Sequence, residues 1–283
     1  MRKNTFRILV TGASSGIGYS TAKALALEGH TVYAAARRVS MMEPLREFGV
    51  TPVYLDVCSS SSISSCLDTV GPIDVLVNNA GYGSLGAIEC VSLEEARRQL
   101  DVNLFGLAAL CQAVLPGMRS RGFGRIINVS SVAGRSVMYF GGWYHVSKYA
   151  VEAFSDALRI EMGPLGVDVV LIEPGGIKTS WGLIAADHLA ESSAGLPYAT
   201  DALREASVLR QAYSSNILSG PSAVAKAIVR AVHARRPRTR YLVGFGSGLL
   251  IFLHTVLPDR WWDSLARLLA APLVARFAQR RLG

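Results

Sequence analysis

Short apolar runs alternate with longer segments of helical periodicity along the first two-thirds of the chain. Runs such as Ile8-Leu9-Val10 are continuously apolar, which is typical of strands buried on both faces of a parallel sheet. The pattern predicts strands at residues 7–10, 31–36, 51–55, 74–78, 125–129 and 168–172. It predicts helices at residues 18–28, 59–69, 93–121, 144–163 and 223–235. Strands that alternate with helices indicate the α/β class and a doubly wound, Rossmann-like parallel sheet.

The regular alternation stops after Pro174. Residues 177–215 mix small, polar and apolar side chains, and we expect them to form a lid inserted over the edge of the sheet. A chain of 283 residues is compatible with one large α/β domain. The expected organisation is a single catalytic domain at 1–243, with a substrate lid at about 176–216, and an apolar, basic extension at 244–283.

Composition and charge narrow the class of protein. Half of the residues are hydrophobic (50%) and 18% are charged, which excludes a disordered chain. The net charge of +8 raises the question of an anionic partner. The excess of positive charge lies at the end of the chain, where residues 235–283 contain nine arginines and only two acidic residues, Asp259 and Asp263. That segment lacks the recognition module and interleaved aromatic residues of nucleic-acid binding, so we expect no nucleic-acid partner.

Cysteine spacing and the first residues bear on the compartment. Cys58, Cys66, Cys90 and Cys111 show no CxxC spacing and have no neighbouring histidine cluster, so we expect reduced, mostly buried thiols and no metal site. Residues 1–7 lead directly into the first strand, without room for the apolar core of a signal peptide. The expected location is cytoplasmic, and peripheral contact with a membrane stays open.

A glycine-rich turn, Thr11-Gly12-Ala13-Ser14-Ser15-Gly16-Ile17-Gly18, joins the first strand to the first helix. Such a turn lets the backbone approach a pyrophosphate at the positive end of the helix. The spacing differs from G-x-G-x-x-G. Taken alone, the turn is therefore also compatible with simple packing of a strand against a helix.

Three further motifs follow in order: Asn78-Asn79-Ala80-Gly81, Tyr144-His145-Val146-Ser147-Lys148, and Pro174-Gly175 with Thr179. With the glycine turn, they resemble the T-G-x-x-x-G-x-G, N-N-A-G, Y-x-x-x-K and P-G-x-x-x-T motifs of the short-chain dehydrogenase/reductase family, in its common, shorter branch. The resemblance spans residues 8–243. It implies an oxidoreductase that transfers a hydride between a nicotinamide cofactor and a carbonyl compound or a primary or secondary alcohol.

The end of the second strand indicates which cofactor is preferred. NAD enzymes place a carboxylate there for the ribose hydroxyls, but this chain has Ala36-Arg37-Arg38. Two guanidinium groups favour the 2′-phosphate of NADP(H), although a solvated arginine pair is the alternative. Asp56 resembles the adenine-contacting residue of the family, or it caps the following turn. The expected cofactor-binding residues are Gly12, Ser14, Ser15, Gly16, Ile17, Gly18, Arg37, Arg38, Asp56, Val57, Asn79, Ala80, Gly81, Tyr144, Lys148, Pro174, Gly175, Ile177 and Thr179.

The catalytic residues follow from spacing and resemblance together. Tyr144 and Lys148 share one helix face, and a nearby ammonium group would stabilise the tyrosinate needed for acid–base chemistry. By resemblance, Ser131 binds the substrate oxygen, and we prefer it to its neighbour Ser130 on spacing. Asn103 matches the asparagine that the family uses in a proton relay, with a helix-bending polar residue as the alternative. His145 is expected to be non-catalytic.

The lid and the extension suggest an apolar ligand. Few charges interrupt the apolar side chains of residues 176–216, and residues 79–83 resemble hydroxysteroid and retinol dehydrogenase-like members. We therefore expect a bulky apolar alcohol or ketone that is steroid-, retinoid- or lipid-like. The run 241–257, marginally short for a membrane span, is compatible with a lid, with an interfacial anchor, or with packing on the sheet edge or on a partner subunit.

Other readings of the whole chain stay open. A catalytically inert NADP-binding regulatory or scaffold protein of the same fold is the main alternative, although the combination of Asn103, Ser131, Tyr144 and Lys148 argues against it. An epimerase or dehydratase of the longer family branch fits the N-N-A-G turn less well. The resemblance also implies a homodimer or homotetramer built on helices 93–121 and 144–163.

Overall fold

A seven-stranded parallel sheet forms the centre of the protein, in the order β3-β2-β1-β4-β5-β6-β7. The computed structural model describes residues 5–215, 217–244 and 246–270. The strands are β1 Arg7–Thr11, β2 Thr31–Ala36, β3 Thr51–Tyr54, β4 Val75–Asn78, β5 Gly124–Val129, β6 Val167–Pro174 and β7 Arg240–Val243. The order reverses direction at β1 and β4, which is the point where doubly wound sheets bind their ligands.

Helices cover both faces of this sheet. They are α1 Gly16–Leu27, α2 Ser60–Val70, α3 Leu93–Leu100, α4 Gly106–Arg121, α5 Gly142–Met162, α6 Trp181–Ser192, α7 Ala199–Ser214, α8 Pro221–His233, α9 Ser247–Val256 and α10 Asp259–Ala270. A π-helical turn, Asp101–Phe105, joins α3 to α4. The resulting helix, Leu93–Arg121, is long and apolar enough to cross a membrane, but its buried residues, such as Leu110 and Met118, belong to the core against the sheet.

Two apolar layers hold the helices on the sheet. One contains Leu9, Leu76 and Ile126 with side chains of α2, α4 and α5. The other contains Ile8 and Val10 with side chains of α1 and α8. Because neighbouring residues of one strand enter opposite layers, both faces of the strand are buried, as the continuous apolar runs predict.

The fold class and the six predicted strands are confirmed. Predicted ends differ from the observed ones by up to a few residues, as they do for β6, which continues to Pro174. The seventh strand, β7, is missing from the prediction. Ser59 caps α2 by accepting a hydrogen bond from the Ser62 N–H at 3.2 Å.

The segment predicted as a lid folds into α6 and α7. Its small buried residues, among them Ala185 and Ala206, pack with Leu85, Ala87 and Phe140 from the loops that follow β4 and precede α5. The lid therefore lies over loops at the carboxyl ends of the strands, rather than over the edge of the sheet. Gly182 allows a close approach, since a Cβ there would overlap the Tyr213 ring.

The C-terminal extension begins directly after the edge strand β7. Gly175 follows β6 and approaches Ser247 of α9 so closely that a Cβ would collide with the Ser247 hydroxyl. Ile251 is also buried, so one side of α9 packs on the body of the protein. One face of α9 therefore packs on the edge of the sheet, which was one of the alternatives for residues 241–257.

Candidate active site

The glycine-rich turn lies against the loop that follows β4. Gly12 has φ +65°, a conformation that favours glycine, and a Cβ there would lie 2.8 Å from the Ala80 Cα. A Cβ at Gly18 would lie 2.5 Å from Asn79 Nδ2. Side chains at these positions would fill the cradle, so the glycines allow a bound ligand to approach the backbone closely.

Helix α1 begins at this turn with its first N–H groups uncapped by a side chain. Ser15, the residue before the helix, makes no side-chain cap, and the first turn contains no acidic residue. The first N–H groups of a helix carry partial positive charge and attract phosphate. Thr179 closes the other side, because a Cβ at Gly16 would lie 3.3 Å from its methyl group. The turn therefore fits the pyrophosphate of a dinucleotide.

Thr11 and Asn79 fasten two strand ends together. The backbone N–H groups of Asn79 and Ala80 both donate to Thr11 Oγ1 at 3.0 Å. Asn79 Nδ2 in turn donates to the Thr11 carbonyl at 3.0 Å. The two predicted motifs of β1 and β4 therefore form one rigid unit.

Two exposed arginines stand at the end of β2. Arg38 reaches over the glycine-rich turn and donates to Ser14 Oγ at 3.2 Å. Asp56, at the end of β3, accepts a hydrogen bond from the Cys58 N–H at 3.0 Å. Asp56 thus caps the following turn, the alternative that the sequence left open, and its contact with adenine stays a prediction.

Ser131 and Tyr144 face each other across the loop between β5 and α5. Burial raises the pKa of Tyr144 well above its ordinary value, and the nearby Ser131 hydroxyl partly offsets that rise. The Ser131 hydroxyl also accepts from the Ala133 N–H at 3.1 Å. The neighbouring Ser130 hydroxyl is also buried but has no hydrogen-bond partner among the described residues. The choice of Ser131 over Ser130 stays a prediction.

Lys148 is buried beneath Tyr144 on the same face of α5. Its Nζ donates to the Val129 carbonyl at 3.0 Å and lies 5.9 Å from the centre of the Tyr144 ring. Burial lowers the pKa of Lys148 to about 8, against the nearby Glu152 carboxylate, which raises it. A lysine with this pKa can lose or gain a proton near neutral pH.

Asn103 lies in the π-helical turn between α3 and α4. Its side chain accepts from the Tyr82 N–H at 3.0 Å, and donates to the Tyr82 carbonyl at 2.9 Å and to Ser147 Oγ at 3.0 Å. A Cβ at Gly81 would lie 3.0 Å from Asn103 Oδ1 and 3.9 Å from Lys148 Nζ. The π turn therefore brings Asn103 beside Lys148. Asn103 thus lies at a helix irregularity and also at the candidate site, so the structure is compatible with both alternatives, the helix-bending polar residue and the site residue.

A network of buried charges behind Lys148 was not predicted. Glu152, one turn along α5, is bound by Arg240 of β7 at 3.0 Å. Arg240 also contacts the fully buried Glu173 at 3.0 Å and Asp156 at 2.7 Å. Burial raises the pKa of Glu152, whereas the nearby Ser130 hydroxyl and Arg240 lower it. The edge strand thereby stabilises a carboxylate that faces the active-site lysine.

The lid supplies an aromatic wall. The Trp181 ring lies 5.1 Å from the Tyr144 ring and 6.3 Å from the Tyr213 ring. A Cβ at Gly83 would overlap the indole, so this glycine makes room for it.

His145 is held by the Ala133 carbonyl and the Met138 N–H at 2.9 and 3.0 Å. Its role in the structure is therefore to fix the loop before α5.

These predicted residues thus meet at the carboxyl ends of the strands. The glycine turn contacts Asn79 and Ala80, Gly81 contacts Asn103 and Lys148, and the Ser131 hydroxyl donates to the Pro174 carbonyl at 3.3 Å. The arrangement combines a phosphate-binding turn with a buried tyrosine and lysine. Such a site can bind a dinucleotide and exchange one proton with a ligand.

The sequence resembles known dehydrogenases and reductases. The model of the family described as short chain dehydrogenase matches residues 7–183. The probable short-chain type dehydrogenase/reductase VdlC of Helicobacter pylori is 36% identical, over 92% of this chain and 96% of that protein. The 3-ketodihydrosphingosine reductase of Bacteroides thetaiotaomicron is 36% identical, over 84% and 87%. Human retinol dehydrogenase 8 is 35% identical, over 88% and 85%.

Solved structures share the fold. A short-chain dehydrogenase from Streptomyces avermitilis has a TM-score of 0.76 and 29% identity, with 98% of this chain and 99% of that chain covered. A serine dehydrogenase in complex with NADP+ has a TM-score of 0.72 and 27% identity, with 84% and 94% covered. A Burkholderia phymatum dehydrogenase in complex with NAD, at 24% identity and a TM-score of 0.73, covers 85% and 90% and bears on the fold alone.

Proposed function

The chain belongs to the short-chain dehydrogenase/reductase family of oxidoreductases, and from this premise we propose that it uses NADP(H) to interconvert a bulky apolar ketone or aldehyde and the corresponding alcohol. The observation that carries the proposal is the buried group formed by Ser131, Tyr144 and Lys148 beside the glycine-rich turn. A nicotinamide cofactor bound there would supply or accept the hydride.

The chain's own residues handle the proton. The Ser131 hydroxyl holds the substrate oxygen beside the Tyr144 hydroxyl, and Tyr144 gives its proton to that oxygen during reduction or takes one from the alcohol during oxidation. The Lys148 ammonium favours the tyrosinate that remains after reduction. Asn103 sits beside Lys148 and is hydrogen-bonded to the Tyr82 backbone. Along this route the proton that Tyr144 gives up can be replaced.

The preference for NADP(H) rests on charge at the end of β2. Arg37 and Arg38 are exposed there, and Arg38 already extends to Ser14 in the phosphate-binding turn. Guanidinium groups bind phosphate through charge-assisted hydrogen bonds, and a carboxylate that would repel the 2′-phosphate does not follow Ala36 in the sequence. The NADP+ complex of the related serine dehydrogenase is consistent with this preference.

The apolar substrate class rests on the lid. Trp181 faces Tyr144, and Phe140, Leu189 and Leu85 belong to the same apolar cluster. Apolar walls around few polar groups favour apolar ligands. Two relatives carry names that refer to a retinol and to a ketodihydrosphingosine, which are both largely hydrocarbon molecules.

A substrate series tests this proposal. The purified protein is mixed with NADPH and ketones or aldehydes of increasing apolar size, and the loss of NADPH absorbance is followed. We expect kcat/KM to rise with apolar size. Preference for small polar carbonyl compounds would overturn the substrate class. NADPH binding without turnover of any carbonyl or alcohol would favour an inert binding protein.

We also propose that two or four copies associate through α4 and α5. The outer face of α5 carries exposed apolar residues at helical spacing, with Val146 49%, Tyr149 38% and Ile160 73% exposed. Phe105, where the π turn meets α4, is 59% exposed. Apolar stripes of this kind are typical of an interface between subunits.

A further inference from the structure

One face of α9 is apolar and exposed. Leu249, Phe252 and Val256 recur at intervals of three and four and so share that face; they are 62%, 59% and 54% exposed. The helix contains no Asp, Glu, Lys or Arg. Ile251, on the opposite side, is buried. The helix therefore packs through one side only.

Helix α10 adds an apolar stripe bordered by positive charge. Trp261 and Leu268, seven positions apart, share a face and are 69% and 37% exposed. Arg260 and Arg267 each precede one of these residues, about 100° away around the helix, and both are exposed. Asp259 and Asp263 are also exposed, but they lie on the opposite side of the helix from this stripe. An exposed Trp–Leu stripe with arginines on its border is the pattern of a helix that lies in a lipid interface.

Trp262 attaches this helix pair to the active-site loop. Its Nε1 donates to the Val137 carbonyl at 2.9 Å, and its ring meets the His254 ring edge-on at 4.7 Å. Val137 lies between Ser131 and Tyr144 in sequence. The exposed faces of α9 and α10 therefore belong to a pair of helices that is hydrogen-bonded to the loop between Ser131 and Tyr144.

We propose that the exposed faces of α9 and α10 form a docking surface for an anionic phospholipid bilayer. The charge is complementary, because residues 259–283 contain five arginines and two aspartates, a net charge of +3. Pairing with a second copy through the same face would bring Arg260 and Arg267 of both copies together, which like-charge repulsion disfavours. A bilayer instead accepts the apolar side chains and attracts the arginines. If the protein acts on an apolar substrate as proposed, docking there would bring the loop between Ser131 and Tyr144 close to a source of such molecules.

Vesicle co-sedimentation of the full chain tests the surface. The probes are phosphatidylcholine vesicles with and without phosphatidylglycerol, at low and high salt. We expect binding to the phosphatidylglycerol vesicles at low salt, and much less binding at high salt or to phosphatidylcholine alone. The double variant Phe252→Ser/Trp261→Ser should weaken binding at least about tenfold. Arg260→Gln/Arg267→Gln should weaken it about thirtyfold.

Matched controls separate the surface from general effects. Leu27→Ser removes an apolar side chain that is 66% exposed on α1. Lys226→Gln/Arg230→Gln removes two charges from the exposed side of α8. Both controls should bind like the unmodified chain, and circular dichroism confirms that each variant is folded. Binding can be measured whether or not the proposed oxidoreductase activity is found, so the two proposals can fail separately.

Two results would overturn the docking surface. One is equal sedimentation of the surface variants and the controls, which assigns any binding to net charge. The other is the absence of vesicle binding together with a lower molar mass of Phe252→Ser/Trp261→Ser in light scattering, which assigns the face to a second copy of the chain.

Discussion

The indole ring of Trp181 packs against the phenol ring of Tyr144, with their centres 5.1 Å apart. Trp181 begins α6 of the lid, whereas Tyr144 lies in the first turn of α5. One lid residue therefore borders the group proposed to transfer the proton. In the proposed function, this contact would connect recognition of the substrate to the chemistry.

Replacing this ring should change the selectivity for size. In Trp181→Ala, we expect kcat/KM for small ketones to fall roughly tenfold, because the alanine no longer confines them against Tyr144. Bulky ketones should be affected less, since their own surface fills the space. Steady-state kinetics across the ketone series measures the difference, with Leu183→Ala, at a 40% exposed position of the same helix, as the control. An equal loss for all sizes would show that Trp181 does not select by size.

Loss of Arg240 should destabilise the protein in a pH-dependent way. Arg240→Gln leaves the buried Glu152 without its cation, while the buried Glu173 keeps only Arg135, at 3.4 Å. We expect a loss of about 3 kcal/mol in the free energy of unfolding, since removing one partner of a buried ion pair leaves an uncompensated charge. Urea denaturation measures it. Arg236→Gln, at an exposed position near β7, is the matched control and should have little effect.

The direction of the pH effect follows from Glu152. Burial raises its pKa and Arg240 lowers it, so the variant's folded-state pKa rises further above the unfolded value. A raised carboxyl pKa means that the folded state is favoured at low pH and loses stability as the pH rises through that pKa. The difference from the unmodified protein should therefore be smaller at about pH 5 than at about pH 8. A difference that is the same at both pH values would contradict the role of Glu152.

The cofactor preference can be tested by exchanging the charge at the end of β2. We expect the unmodified protein to favour NADPH over NADH at least about tenfold in kcat/KM, as charge-assisted hydrogen bonds to a phosphate suggest. Ala36→Asp/Arg37→Leu should weaken or reverse this preference, because it adds a carboxylate and removes a guanidinium. Arg46→Leu, at an exposed position where the arginine pairs with Glu43, serves as the charge control. Equal efficiency with both cofactors in the unmodified protein would contradict the assignment.

Association through α5 predicts a smaller particle when the exposed stripe is charged. Ile160→Arg places a cation at a position that is 73% exposed in the single chain, and burying it in an interface would be unfavourable. Light scattering should show a dimer or tetramer for the unmodified chain and mainly monomer for the variant. Leu27→Arg on α1 is the control. An unmodified chain that is monomeric at micromolar concentration would refute the assembly.

Residues close together in sequence account for what could be predicted. The glycine turn, the Tyr144–Lys148 pair and Ser131 each depend on local spacing at a strand end or along one helix turn, which the sequence displays directly. The parallel sheet follows from continuous apolar runs. These features predicted the fold class, and the structure brings several of the candidate residues together at the carboxyl ends of the strands.

The ionic network behind the site depends on long-range contacts and was missed. Glu152, Glu173 and Arg240 come from α5, β6 and β7, and no local pattern connects them. Arg240 also opens the short strand β7, whose four residues follow a basic stretch and give little alternation. The π turn at Asn103 was missed for another reason, since one added residue in a helical turn barely alters an apolar pattern.

The most direct test of the account compares Tyr144→Phe with the unmodified protein. NADPH binding is measured by fluorescence titration, and turnover is measured by NADPH absorbance with the best ketone of the series. The account predicts unchanged NADPH affinity and a loss of kcat of about 10²- to 10⁴-fold, because the ring still packs but the transferable proton is gone. Retention of more than a tenth of the rate, at normal NADPH affinity, would remove Tyr144 from the mechanism.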